Sequence, residues 1–141
     1  MAGMSGPGAL AADTQPTPGE TLAHFIRASL SPPVMDAGRM ALWAGFIHMV
    51  RSNPDMRAIH RRTYLAYRDH LQALIGAALA AAGRPADIAT LRRHAIACNA
   101  VLDGLWLEGS ALPEAFEPDE IPRLGLQSVG ALLTLDLTEQ L

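Results

Sequence analysis

The stretch Leu102-Asp103-Gly104-Leu105-Trp106-Leu107-Glu108 places an acid, a glycine and one of only two tryptophans within four residues of an otherwise oily run. The apolar positions around it recur with helical period from about Ala86 to Leu112. A buried acid and a mid-helix glycine both cost a packed core stability. The segment therefore points to a pocket or an interface built on a helix.

The rest of the chain supports an all-α reading. Half of its 141 residues are apolar but only 5% are aromatic, an Ala/Leu-rich mixture that builds helices. No segment alternates with period two, which argues against a sheet. A formal net charge of −3 lacks the basic footprint of a nucleic-acid-binding domain. All the basic residues except histidine are Arg. Cys98 is the only cysteine, so no intrachain disulfide forms, and its place on an apolar stripe reads as an inert buried thiol. No secretory signal is visible, and the longest oily run, Leu71 to Ala82, is too short to span a bilayer. The expectation is a cytoplasmic protein without membrane contact.

Residues 1–16 are Gly/Ala/Pro-rich and aperiodic and read as a disordered tail. A domain over residues 17–141 follows. Thr17 and Glu20 have capping-box spacing, and Ser31-Pro32-Pro33 ends the first helix. The second helix, about Pro33 to Arg51, is apolar nearly all round, which predicts burial in the middle of the fold. Asn53 and Pro54 open a long third helix that Gly83 and Pro85 stop. The fourth runs from about Ala86 to Leu112. Its Ile88, Leu91, Ala95, Cys98, Leu102 and Leu105 form a heptad-like seam for another helix. The fifth runs from near Asp119 to about Leu137. The predicted architecture is a five-helix bundle. Gly104, Gly109, Gly125 and Gly130 on the last two helices suit close packing, either across a dimer or within one chain.

Chemistry-bearing patterns are sparse. Trp43 and Phe46, and likewise Tyr64 and Tyr67, are three apart on their helices, so each pair shares a face. With Trp106 they form either a pocket wall or ordinary core. Such rings hold a quaternary ammonium by cation–π contact, and Asp103 would supply the carboxylate. Asp103 alternatively pairs with an Arg across a dimer or caps a neighbouring backbone. His24, His48, His60, His70 and His94 form no HxxxH pair, so neither a metal nor a cofactor is expected. His48 is a candidate to line a cavity. Without a nucleophile elbow, a phosphate loop or a base beside Cys98, an enzyme is not expected.

Met40-Ala41-Leu42-Trp43-Ala44-Gly45-Phe46, Ser52-Asn53-Pro54-Asp55-Met56, Ala100-Val101-Leu102-Asp103-Gly104-Leu105-Trp106-Leu107-Glu108 and Phe116-Glu117-Pro118-Asp119 together resemble the C-terminal half of TetR-type transcriptional regulators of the BetI-like subgroup. The likeness runs from about Thr17 to Leu137. It implies a small-molecule effector, choline-like and cationic, held by Trp43, Phe46, Tyr64, Tyr67, Asp103 and Trp106. It also implies a homodimer, with the last two helices pairing with their copies in a four-helix bundle through Leu91, Cys98, Leu102, Leu105, Val129 and Leu133. Nothing in residues 1–16 resembles a helix-turn-helix, so DNA contact is expected only through a head these residues do not encode. The alternative is a head-less helical interaction protein that heterodimerises with an intact regulator.

Overall fold

A computed structural model of the chain describes residues 15–138. The reading of the first residues as a disordered tail falls almost entirely outside them. Five helices follow: α1 (Pro18–Ser29), α2 (Ala37–Val50), α3 (Pro54–Ala81), α4 (Ile88–Ala111) and α5 (Glu120–Leu133), with a single 3-10 turn, Pro113–Ala115, between the last two. The described residues contain no strand.

The expected start and stop signals operate through backbone hydrogen bonding. Thr17 and Glu20 form the reciprocal capping box on α1, at 3.1 and 3.2 Å. Asn53 Oδ1 accepts from the amides of Asp55 and Met56 at the head of α3. Gly83, at φ +78°, turns the chain out of α3. The Arg84 amide then closes on the Leu79 carbonyl at 2.9 Å.

Two boundaries differ from the periodicity. Helix α2 begins at Ala37 because Asp36, not the Pro33 region, accepts the Arg39 amide as its cap. Helix α5 ends at Leu133 because Thr134 turns left-handed (φ 54°) and the Leu135 amide reaches back to the Gly130 carbonyl. Arg84, in the connection that follows α3, seals this end by donating to the carbonyls of Leu133 and Thr134 at 2.9 and 2.7 Å. Gly130 is needed at this turn, since a Cβ there would stand 2.5 Å from the Leu135 carbonyl oxygen.

Helix α1 lies at the centre, packed on α3, α4 and α5. Leu22, Ala23, Ile26 and Leu30 on and beside it are buried, meeting Leu71, Ile75, Cys98, Leu102, Leu126 and Val129. Gly125 lets α5 approach this helix: a Cβ there would be 2.3 Å from Leu30 Cδ1. At the other end of α5, Arg27 forms a two-bond ion pair with Asp119 that holds the aspartate carboxyl below its usual range.

The expected burial of α2 is overturned. None of its residues is buried; Leu42 is 77% exposed, and Trp43 and Met49 are exposed as well. The helix lies outside, against α3 and α4. An all-round apolar sequence does not bring a helix into the core when a more amphipathic one, α1, already fills it.

The α4 seam also finds its partners inside the protomer. Ala95, Cys98 and Leu102 are buried, Leu91 and Leu105 are half-buried, and Ile88 is 73% exposed. Val129 and Leu133 on α5 are likewise buried. Cys98, Leu102, Val129 and Leu133 are thus part of the core within this chain. Burial pushes the Cys98 thiol up to about 11, in keeping with an inert core residue. Gly109, Gly125 and Gly130 serve contacts within the chain, whereas a Cβ on Gly104 would meet nothing within 4 Å. The close packing expected at Gly104 is not made within the described residues of this chain.

Candidate functional site

Helix α2 stands off the body of the protein and leaves a groove against α3 and α4. Two residues chiefly tie it down. Trp43 meets the ring of Trp106 on α4 edge-on, with centroids 5.8 Å apart and planes at 77°. Phe46 meets His60 on α3 at 6.0 Å. The segment leading into α2 is pinned as well, because the Trp106 indole N–H donates to the Val34 carbonyl at 2.9 Å.

Two adjoining cavities share Trp43, Tyr67 and Asp103 as walls. The smaller, about 200 Å³, adds Trp106, Leu102, Val34 and Ser29 and is mostly apolar. The larger, about 580 Å³, adds Phe46, Tyr64, His60, Thr63 and Asn99. All six residues expected to hold a ligand line one or both. Helical spacing explains the gathering. His60, Tyr64 and Tyr67 fall three and four apart on α3, and Asn99 and Asp103 four apart on α4, so each set shares a face.

The polar groups are individually positioned. The Tyr67 hydroxyl and the Ser29 hydroxyl lie 3.0 Å apart, linking α3 to α1. Burial raises the Tyr67 pKa, the bond to Ser29 opposes this, and the Asp103 charge adds to the rise. Phe25 packs on the same Tyr67 ring at 5.2 Å. The Arg68 guanidinium sits over the Tyr64 ring, 5.4 Å from its centroid.

Asp103 forms no salt bridge with an Arg of its own chain, nor does it cap a backbone amide, among the described residues. Desolvation at the groove raises its pKa, and the charge of His60 across the groove opposes the rise. The carboxylate lines both cavities and stays open to solvent.

Residue spacing missed several of the walls. Val34 and Ser29 come from segments whose position only the fold sets. His48, the histidine expected near a cavity, is exposed on the outer side of α2, and His60 takes that place. The signal for His60 was present, four residues before Tyr64 on the same face, and 6.0 Å from its ring in space. Asn99 carried the same signal relative to Asp103.

The structure is an all-α domain with an aromatic groove held open between a peripheral helix and the core. The family described as BetI-type transcriptional repressor, C-terminal, matches residues 18–134, and the chain belongs to that family. No curated protein and no solved structure matches the chain. No helix among the described residues is long and apolar enough to cross a membrane.

Proposed function

We propose that this domain senses a small cationic, choline-like effector in the groove between α2, α3 and α4, as part of a dimeric transcriptional repressor. The observation that carries the reading is the convergence of Trp43, Phe46, Tyr64, Tyr67 and Trp106 around a carboxylate, Asp103, that forms no salt bridge among the described residues and has only the charge of His60 acting on it across the groove. An aromatic wall with one unpaired acid is the chemistry that holds an ammonium ion, each cation–π contact contributing about 0.5–2 kcal/mol. The larger cavity alone lies within the usual range for small-molecule sites.

The proposed response follows from where the ligand sits. A ligand shifts a conformational equilibrium only through unequal affinity for the two states. Helix α2, which buries none of its residues, is the element most easily moved. A cation placed between Trp43 and Trp106 would reset the position of α2 against α4. In a dimer, that shift would pass to whatever the two subunits carry.

Both tryptophans of the chain line the groove, so their fluorescence reports occupancy directly. Titration with choline, betaine aldehyde and a panel of small ammonium ions should give saturable quenching for at least one of them. Flat traces for all would remove the cationic-effector reading.

The proposed dimer uses the outward faces of α4 and α5. Leu124 (37%) and Leu132 (43%) are exposed on α5, and Gly104 on α4 has open space beside it. These would build the four-helix bundle around which the second copy packs. Light scattering at micromolar concentration should give twice the 15.0 kDa chain mass. A monomer at that concentration would exclude the dimer.

A further inference from the structure

The net charge of −3 conceals a separation of charge along the chain. From Arg39 to Arg68 there are six arginines and a single acid, Asp55; from Asp103 to Pro122 there are six acids and no arginine. The ion pairs among the described residues, Arg27 and Arg123 with Asp119, use none of these arginines and only one of these acids. Arg51, Arg57, Arg61 and Arg62 are exposed and unpaired among the described residues, and so are Glu108, Glu114 and Glu117. Both sets lie at one end of the bundle. Leu91 near the start of α4 packs on Gly76 near the end of α3, and Asp103 shares the larger cavity with His60 and Tyr64, so α3 and α4 run antiparallel. The first turns of α3 and the last turns of α4 therefore sit at the same end, with α2 packed on both helices. Apolar side chains stay wet here too. Met49 and Ile59 in the arginine-rich segment are each 41% exposed, and Leu112 in the acidic one is 58% exposed.

We propose that this end of the domain docks against a second copy of the chain, the arginines of α3 on one copy meeting the acidic α4–α5 connection of the other. Each copy carries both patches, so a two-fold axis between the copies sets basic on acidic twice and closes the contact. Arg57 and Arg61, four residues apart, share a side of α3. Glu114 and Glu117 stand in and just after the 3-10 turn that joins α4 to α5. The acidic connection is a surface of opposite sign, present at the same concentration as the arginines. Exposed ion pairs contribute about 0.2–1 kcal/mol each, so the contact is weak and salt-sensitive, with Met49, Ile59 and Leu112 supplying its apolar part. This surface differs from the outward faces of α4 and α5 proposed for the dimer, and its chemistry does not depend on what occupies the groove.

The test is sedimentation velocity of the wild-type chain at about 100 µM, in about 50 mM and about 1 M sodium chloride, the second of which shortens the screening length to about 3 Å. The weight-average mass should be higher at low salt, by up to about twofold. An apolar α4–α5 dimer does not come apart as salt rises, so the ratio of the two masses reads this contact whether or not that dimer forms. Arg57→Glu with Arg61→Glu makes both patches acidic, and Glu114→Arg with Glu117→Arg makes both basic. Each double variant alone should lose the low-salt increase, and an equimolar mixture of the two should regain it. The regain would also show that both variants are folded, which their exposed positions favour. A wild-type mass equal in both salts overturns the proposal without any variant. So does an increase that survives either charge reversal, or a mixture of folded variants that stays apart. Low-salt binding of a labelled DNA duplex through Arg57 and Arg61, without self-association, would assign the basic patch to a polyanion and overturn it equally.

Discussion

Ile26→Ala is expected to destabilise the domain by about 3 kcal/mol, while Leu42→Ala stays within about 0.5 kcal/mol of the wild type. Ile26 is fully buried where α1 crosses α5, and its Cγ2 lies near the place a Gly125 Cβ would occupy. Truncation removes transfer free energy and leaves a cavity that rigid neighbours on α3, α4 and α5 cannot close. Leu42 is 77% exposed on α2, so the same chemical change removes little from water that is not already wet. In thermal denaturation followed by circular dichroism the first variant should melt about 10 °C lower, the second close to the wild type. Equal losses would mean that α2 is a core helix after all. The pair therefore measures which of two oily helices organises the fold.

Asp103→Asn is expected to weaken binding of a small ammonium ion by about 10- to 100-fold, read by tryptophan quenching. The substitution keeps the shape, removes the charge and replaces one acceptor oxygen by a donor NH2. Stability should not fall with it. Desolvation raises the folded-state pKa of Asp103, so the charged form is disfavoured in the native protein relative to the unfolded chain. That penalty is present at neutral pH and is relieved as pH falls through the raised value toward the ordinary carboxylate range. The amide variant never carries it. Cation affinity of the wild type runs the opposite way, full at neutral pH and lost as the carboxyl protonates, whereas the variant's weaker binding should be flat across that window. An unchanged affinity in Asp103→Asn would remove this residue from the site.

Several features of the fold were readable one residue at a time. Thr17, Asn53 and Gly83 act within a few residues of themselves, through hydrogen bonds or a positive φ, and each does in the structure what its local chemistry requires. The aromatic pairs on α2 and α3 were also legible, since spacing alone puts two rings on one face. Asp103 stood out because an ionised group in an oily helix must be explained.

Other features depend on which helix meets which. The end of α5 is set by Arg84, almost fifty residues away in sequence, and by a turn at Thr134 that carries no glycine. The α4 seam had a heptad-like period for another helix, and Cys98 and Leu102 on it join the core of their own chain. A period specifies that a face will be covered and is silent about which copy covers it.

By itself, then, the sequence determined five helices, their starts and most of their ends, an aromatic and acidic set of residues, and the family whose model they match. Those properties follow from torsions, caps and faces, which are local. Only the tertiary structure decided that α1 occupies the centre and α2 the outside, that Ser29, Val34, His60 and Asn99 complete the groove, and that Asp103 forms no salt bridge among the described residues. Burial is a competition among all apolar faces for limited interior space, and its outcome is not a property of any one helix.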